Sequence, residues 1–291
     1  MSTISRPGRN RRAGLVAGAI LLIVVAGCSP STATQAPTAA IVPTGTPLIT
    51  AGQATAPAAT ATGAPLPTEP PVFMRNPAAY VEGVPYQPTI DPDAFEDGIS
   101  HPFLPFQAGA RWVFGGAERI VVEVLEDRKE ILGISATVVR DRVFEDGELI
   151  EDTLDWYAQD VAGNVWYLGE DTAEYENGVI VSRAGSWEAG VDGAQPGIIM
   201  LGDPRVGDTY RQEFYAGEAE DIAAITAQSG SIAVEAGSWS GNDVFVTEEW
   251  TPLEPEVRER KTYAFGVGVV EARTILGGDD VVFLRSFEIP S

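Results

Sequence analysis

The chain has 291 residues, 44% hydrophobic and 21% charged, with 42 Asp and Glu against 19 Lys and Arg, for a formal net charge of −23. The length and apolar content suffice for a core, while such acidity repels nucleic acid and anionic lipid, so no nucleic-acid partner is expected. A single histidine and a single cysteine exclude a zinc site built on several histidines or cysteines, and any intramolecular disulfide.

Residues 1–27 read as an export signal. Arg6, Arg9, Arg11 and Arg12 form a basic start, and the apolar run from Ala13 to Ala26 is short for a membrane span. Small residues lead into Cys28, and Val25-Ala26-Gly27-Cys28 resembles a bacterial lipobox. That resemblance implies that Cys28 is diacylated and becomes the first residue of the mature protein; an ordinary secretory signal cleaved nearby is the alternative. Two acyl chains anchor a protein stably, so the membrane is a partner through the lipid. Removing the four arginines takes the formal charge from −23 to −27.

Residues 28–72 then read as the lipidated cysteine and a disordered tether. From Ser29 to Thr68 there is no charged residue and no histidine, and Ala, Thr, Pro, Gly and Ser predominate. As a coil, about forty such residues reach about 35 Å, enough to lift a domain off the headgroups. Residues 73–105, rich in Pro and Asp, read as an extended strap, and 106–291 as one antiparallel β domain.

The strand signals are β-branched or aromatic runs: Arg111–Phe114, Arg119–Leu125 and Asp243–Thr247. Between such runs lie turn sequences, among them Glu145-Asp146-Gly147, Glu176-Asn177-Gly178 and Leu276-Gly277-Gly278-Asp279. Only Gly217–Ala227 has a helical look. The expected fold is therefore all-β, a single strongly curved meandering sheet, half-barrel or clam-like, with at most one short helix. Within Leu149–Asp160, alternation places Ile150, Leu154, Trp156 and Ala158 on a dry face, and Thr153, Asp155, Tyr157 and Gln159 on a polar-aromatic one.

No catalytic residue is assigned. His101 lies in the strap, and Gly237-Ser238-Trp239-Ser240-Gly241 puts tryptophan where a nucleophile elbow needs serine. Carboxylates among aromatics suit sugar recognition, and equally an acidic β protein with aromatic packing; a glycosidase needs only two of them suitably spaced. No cofactor is expected, with calcium as the option that oxygen ligands leave open, since Asp91–Gly98 is acidic but departs from the EF-hand pattern. The glycine-rich run Ala184–Gly197, holding Trp187, Glu188 and Asp192, reads as a ligand-contacting loop or a self-packed one.

Several runs, Asp152–Asp160, Gly163–Tyr167, Gly185–Ala194 and Tyr210–Glu213, together resemble a group of uncharacterised secreted bacterial proteins and lipoproteins. Lys261–Val270 is similar to a turn pattern of that group, with Phe265 in place of its proline. The resemblance implies no established activity; by analogy of fold, a curved sheet cradles a lipid or another apolar ligand. The expected function is that of a membrane-anchored extracytoplasmic lipoprotein whose β domain binds a small molecule, lipid or glycan without catalysis. Asp155, Tyr157, Trp187, Glu188, Asp192 and Glu213 are the candidate ligand-binding residues. A carboxylate-dependent glycan hydrolase and a structural or interaction module of the cell envelope are the alternatives.

Overall fold

A computed structural model describes residues 75–290; the signal, Cys28 and tether lie outside the described residues. Residues 75–110 contain no strand and one 3-10 turn, Pro92–Ala94. The first eight strands are β1 (Arg111–Gly116), β2 (Arg119–Ile131), β3 (Ile134–Glu145), β4 (Glu148–Gln159), β5 (Val165–Glu176), β6 (Val179–Ser182), β7 (Trp187–Glu188) and β8 (Gln195–Met200). Then come β9 (Thr209–Arg211), β10 (Glu213–Phe214), β11 (Ile222–Ala227), β12 (Gly230–Val234), β13 (Gly237–Gly241), β14 (Val244–Trp250), β15 (Arg258–Ala264), β16 (Gly268–Leu276) and β17 (Val281–Glu288).

Fifteen strands form one antiparallel sheet, and β12 with β13 forms a small second one. The long sheet is two meanders joined edge to edge: β5-β4-β3-β2-β1 meets β17-β16-β15-β14 through the pairing of β1 with β17. Tight turns with positive φ set the hairpins, as at Asp146-Gly147 and Asn177-Gly178. The β2–β3 hairpin turns on Leu132-Gly133, with Leu132 at φ 53, a residue that advertises no turn in the sequence.

The all-β antiparallel expectation is met, and the curl runs nearly to closure. Closure depends on Thr209–Phe214, one run of chain that changes neighbours at Gln212. Its first half, β9, pairs with β11 at one end of the sheet, and its second half, β10, pairs with β8 at the other. The strap reinforces this run, since Ala79 bridges Tyr210, Tyr80 N donates to Thr209 O at 2.9 Å and Arg211 N donates to Ala78 O at 2.9 Å.

The close approach at this seam explains Gly197. A Cβ there would stand 2.1 Å from the Gln212 carbonyl oxygen and 2.5 Å from the Glu213 nitrogen, both backbone atoms that cannot swing aside. Gly197→Ala is expected to lower stability by about 3 kcal/mol, at the upper end for overpacking, with a fall in the urea midpoint as the readout.

Two local expectations are corrected. Gly217–Ala227 carries β11 instead of a helix: Ile222, Ala223 and Ala224 are paired on both edges, to β9 and to β14. Its alanines serve crowding, as Ala223 sits opposite the fully buried Tyr210, and tertiary context overrides helix propensity. The faces of β4 are corrected in part. Trp156 and Ala158 of the dry face are buried and Ile150 and Leu154 half-buried, but Thr153, Asp155 and Tyr157, on the polar-aromatic face, are fully buried as well. The polar face lines the inside of the curl. Trp156, on the other face, is covered by Lys129, whose ammonium lies 3.3 Å from its ring centroid.

Candidate functional site

The interior of the curl divides into an aromatic and an acidic part. Tyr157 and Tyr167, opposite each other on β4 and β5, stack at 4.7 Å; Phe106, just past the strap, packs on Tyr157 at 5.4 Å, and Trp187 meets Tyr167 edge-on at 5.2 Å. One step along the same strands, Asp155 faces Glu170 directly. Beyond them Thr153 and Thr172 share a 2.6 Å hydrogen bond. On β4 period-two alternation brings Thr153, Asp155 and Tyr157 inward together, and on β5 a bulge at Leu168 lets Tyr167 join Glu170 and Thr172 on that face.

Four of the six candidate residues therefore converge. Tyr167 OH donates to Asp155 Oδ1 at 2.7 Å, and Trp187 Nε1 donates to Glu213 Oε2 at 2.9 Å. All four are buried and packed against the domain's own side chains, so this face is filled from within. The other two stand apart. Glu188 points away and pairs with Lys129 at 2.7 Å, fixing the cation that covers Trp156. Asp192 lies exposed at φ 50 in the turn between β7 and β8, where Gly190 N donates to Ala194 O at 2.9 Å. The glycine-rich run is thus two short strands around a turn, placed by the pairing of Trp187 with Glu170.

The acidic part extends across the seam. Asp221, Glu249 and Glu259 line a small cavity of about 10 Å³ with Trp250, Thr251, Glu254 and Val257, room for about one water. Lys261, fully buried, lies 2.8 Å from Glu249 Oε2 and 3.6 Å from Glu259 Oε2. Thr247 and Tyr263 donate to Glu249 Oε1 at 2.6 and 3.3 Å.

Asp221, Glu249 and Glu259 share one cation, and Glu151, Asp155, Glu170 and Glu213 are buried among other carboxyls. Burial pushes Glu151 and Asp155 up to about 7, Glu259 up to about 7 and Asp221 up to about 8. Glu170 rises well above the carboxylate range, first by burial and then by the Asp155 charge; Glu213 does so by burial and then by Asp221 and Glu170. Asp155 Oδ2, Glu170 Oε1 and Glu213 Oε1 have no hydrogen-bond partner, which suits carboxyls holding or sharing protons. Among the described residues no group of three or more His, Cys, Asp and Glu is arranged to hold a metal ion. In the strap, Asp91 accepts from Asp93 N at 3.2 Å, capping the 3-10 turn.

His101 is a structural residue. It is buried, its Nε2 lies 3.2 Å from Leu201 O, and its Nδ1 accepts from Phe103 N at 3.2 Å. Burial lowers its pKa to about 4, so the ring stays neutral.

A more open cavity, of about 100 Å³, lies where the strap crosses the seam, between Pro77–Pro88 and Arg211. The guanidinium of Arg211 sits 4.5 Å from the ring centre of Phe214, 5.2 Å from that of Tyr80 and 5.7 Å from that of Tyr86. Tyr86 is itself fixed by a 2.7 Å hydrogen bond to Pro196 O. Sequence reasoning missed this place. Arg211 lies inside the Tyr210–Glu213 motif, but two of its three aromatic neighbours, Tyr80 and Tyr86, come from a strap 131 and 125 residues earlier, and the Ala79–Tyr210 bridge with its flanking backbone bonds sets that register.

The fold and these sites define an antiparallel β domain curled almost into a barrel, with an acidic, enclosed interior and a recessed cation under its strap. No family model and no curated protein matches the sequence. Among solved structures, it is similar to a protein named as exported and of YmcC-like fold from Bacteroides fragilis NCTC 9343, at 13% identity over 65% of this chain and 100% of that one, TM-score 0.37. It is also similar to a protein named as a lipoprotein from Parabacteroides distasonis ATCC 8503, at 11% identity over 66% and 100%, TM-score 0.36. Likenesses this distant carry no argument about what the chain does.

Proposed function

We propose that the chain is a lipid-anchored extracytoplasmic protein whose β domain binds a ligand without catalysis. The observation that carries the anchor is Cys28 at the end of an export signal, followed by forty uncharged residues and then a folded domain. Binding rests on the recessed Arg211 cavity, since the interior is filled. The carboxylate pair that a glycan hydrolase would use, Asp155 and Glu170, is enclosed, which favours binding over hydrolysis.

Native mass spectrometry of the full chain, made in a bacterial host and released from detergent micelles, tests the reading. A mass beginning at Cys28 and carrying a diacylglyceryl group is expected, and Cys28→Ser should yield the uncleaved precursor. A wild-type chain without lipid would sink the anchor. Spraying with calcium present separates a bound organic mass from a bound cation.

A further inference from the structure

We infer that the cavity under the strap is a binding site for an organic monocarboxylate, its carboxylate paired with Arg211 and its short apolar tail lying along Val81, Val84 and Pro85. This inference deepens the binding reading above and rests on it.

The argument starts from an unfilled donor set. A guanidinium carries five N–H donors in a fixed fork that matches a carboxylate. The Arg211 side chain is only 11% exposed, and its single ionic neighbour is Glu220 Oε2 at 3.8 Å, beyond hydrogen-bond reach. Its Nη1 is buried without a hydrogen-bond partner. The other oxygen of Glu220, Oε1, accepts from Gly217 N at 2.9 Å, which holds the carboxylate where it stands. A desolvated cation with so little compensation is costly to hold, and burial lowers the pKa of Arg211. The rings of Tyr80, Tyr86 and Phe214 fix the guanidinium by cation–π contact and leave its donors unused.

The walls set the rest of the ligand. Pro77, Val81, Val84, Pro85 and Pro88 give the cavity one apolar side, facing the polar side made by Gln87 and Arg211, and about 100 Å³ admits several heavy atoms. Val81 and Val84 are 46% and 52% exposed, so the rim is open. One arginine beside Glu220, in a chain of net charge −23, disfavours a dianion such as phosphate. A monoanion with an apolar tail meets both the donors and the walls. The carboxylate has two sources, a free small acid or the C-terminus of a polypeptide.

Saturation-transfer NMR on the full chain in nanodiscs, with butyrate, n-butanol and an acetylated tripeptide bearing a free or an amidated C-terminus, tests the site. Butyrate should bind and butanol should not, and Arg211→Gln should weaken butyrate at least tenfold with an unchanged circular dichroism spectrum. Val84→Trp, at the exposed rim, should block the cavity even if Arg211→Gln fails to fold. A tripeptide whose free, but not amidated, end displaces butyrate would assign a polypeptide terminus; no displacement would assign a free acid. No butyrate binding by the wild type, or affinity unchanged in both variants, would overturn the site. Either result with the Cys28 lipid in place leaves the anchor standing, and an absent lipid would not touch the cavity.

Discussion

The midpoint of thermal unfolding is expected to fall by about 8–16 °C as pH is raised from about 5 to about 8, the reverse of the usual acid lability. The cause is the enclosed carboxyl array. Glu151, Asp155 and Glu259 are pushed up to about 7 and Asp221 to about 8, while Glu170 and Glu213 lie well above the ordinary range, all chiefly by burial. In the unfolded chain such groups release their protons near pH 4. Between that value and the folded pKa the native state binds more protons, so the slope of stability against pH is negative. The contribution is fully present below the unfolded pKa and is lost as pH climbs through about 7 to 8. A single proton held across three pH units is worth about 4 kcal/mol, and 1 kcal/mol moves the midpoint of a chain this size by about 2–4 °C.

The groups facing one another across the interior shape that curve. Asp155 meets Glu170, Glu151 and the hydroxyl of Tyr167; Glu213 meets Asp221, Glu170 and the indole of Trp187; Asp221 meets Lys261, Glu249 and Glu259. Ionising one carboxylate raises its neighbours, so the loss should be spread over several pH units. Asp155→Asn with Glu170→Gln should flatten the profile, because the amides keep acceptor oxygens, including the one that takes the Tyr167 bond, and carry no charge. Differential scanning calorimetry in steps of about half a pH unit gives the curve; a midpoint rising with pH would mean the array folds ionised.

What the sequence disclosed about the fold was local. Alternation and turn chemistry identify the strands around Asp146-Gly147 and Asn177-Gly178, because hairpins are built from neighbours in sequence. The closing run Thr209–Phe214 was hidden, because a strand that changes partners at one residue leaves no periodicity to count. The candidate site was half legible for a related reason. Period two groups Thr153, Asp155 and Tyr157 correctly on one face but cannot say whether that face is inside. A face bearing aspartate and tyrosine reads as wet; here cross-strand hydroxyls, an indole and carboxyls whose pKa burial raises let it be buried. Arg211 needed a long-range register no local pattern carries. The only two lysines were likewise silent in sequence, yet Lys129 covers Trp156 and Lys261 anchors the acidic interior.

Lys261→Met is expected to be the most damaging single substitution, costing about 3–5 kcal/mol, as removal of one partner of a buried ion pair does. The ammonium is fully buried, 2.8 Å from Glu249 Oε2 and 3.6 Å from Glu259 Oε2. Methionine fills a similar volume, so the loss measures charge rather than a cavity. With the cation gone, Thr247 and Tyr263 still bond Glu249 Oε1, but nothing comparable compensates the second oxygen. Adding Glu249→Gln should therefore recover part of the loss, and the double variant should be more stable than Lys261→Met alone. A surface pair gives the contrast: Arg183 and Asp171, 2.6 Å apart but about half exposed, should lose less than about 1 kcal/mol on Arg183→Ala. Urea unfolding of the wild type, Lys261→Met, Glu249→Gln and the double variant at one pH closes the cycle, with Arg183→Ala alongside as the surface reference, provided their m values agree. If Lys261→Met cost no more than Arg183→Ala, the carboxyls around it would have to be neutral in the native state, and the acidic interior would be held by shared protons alone.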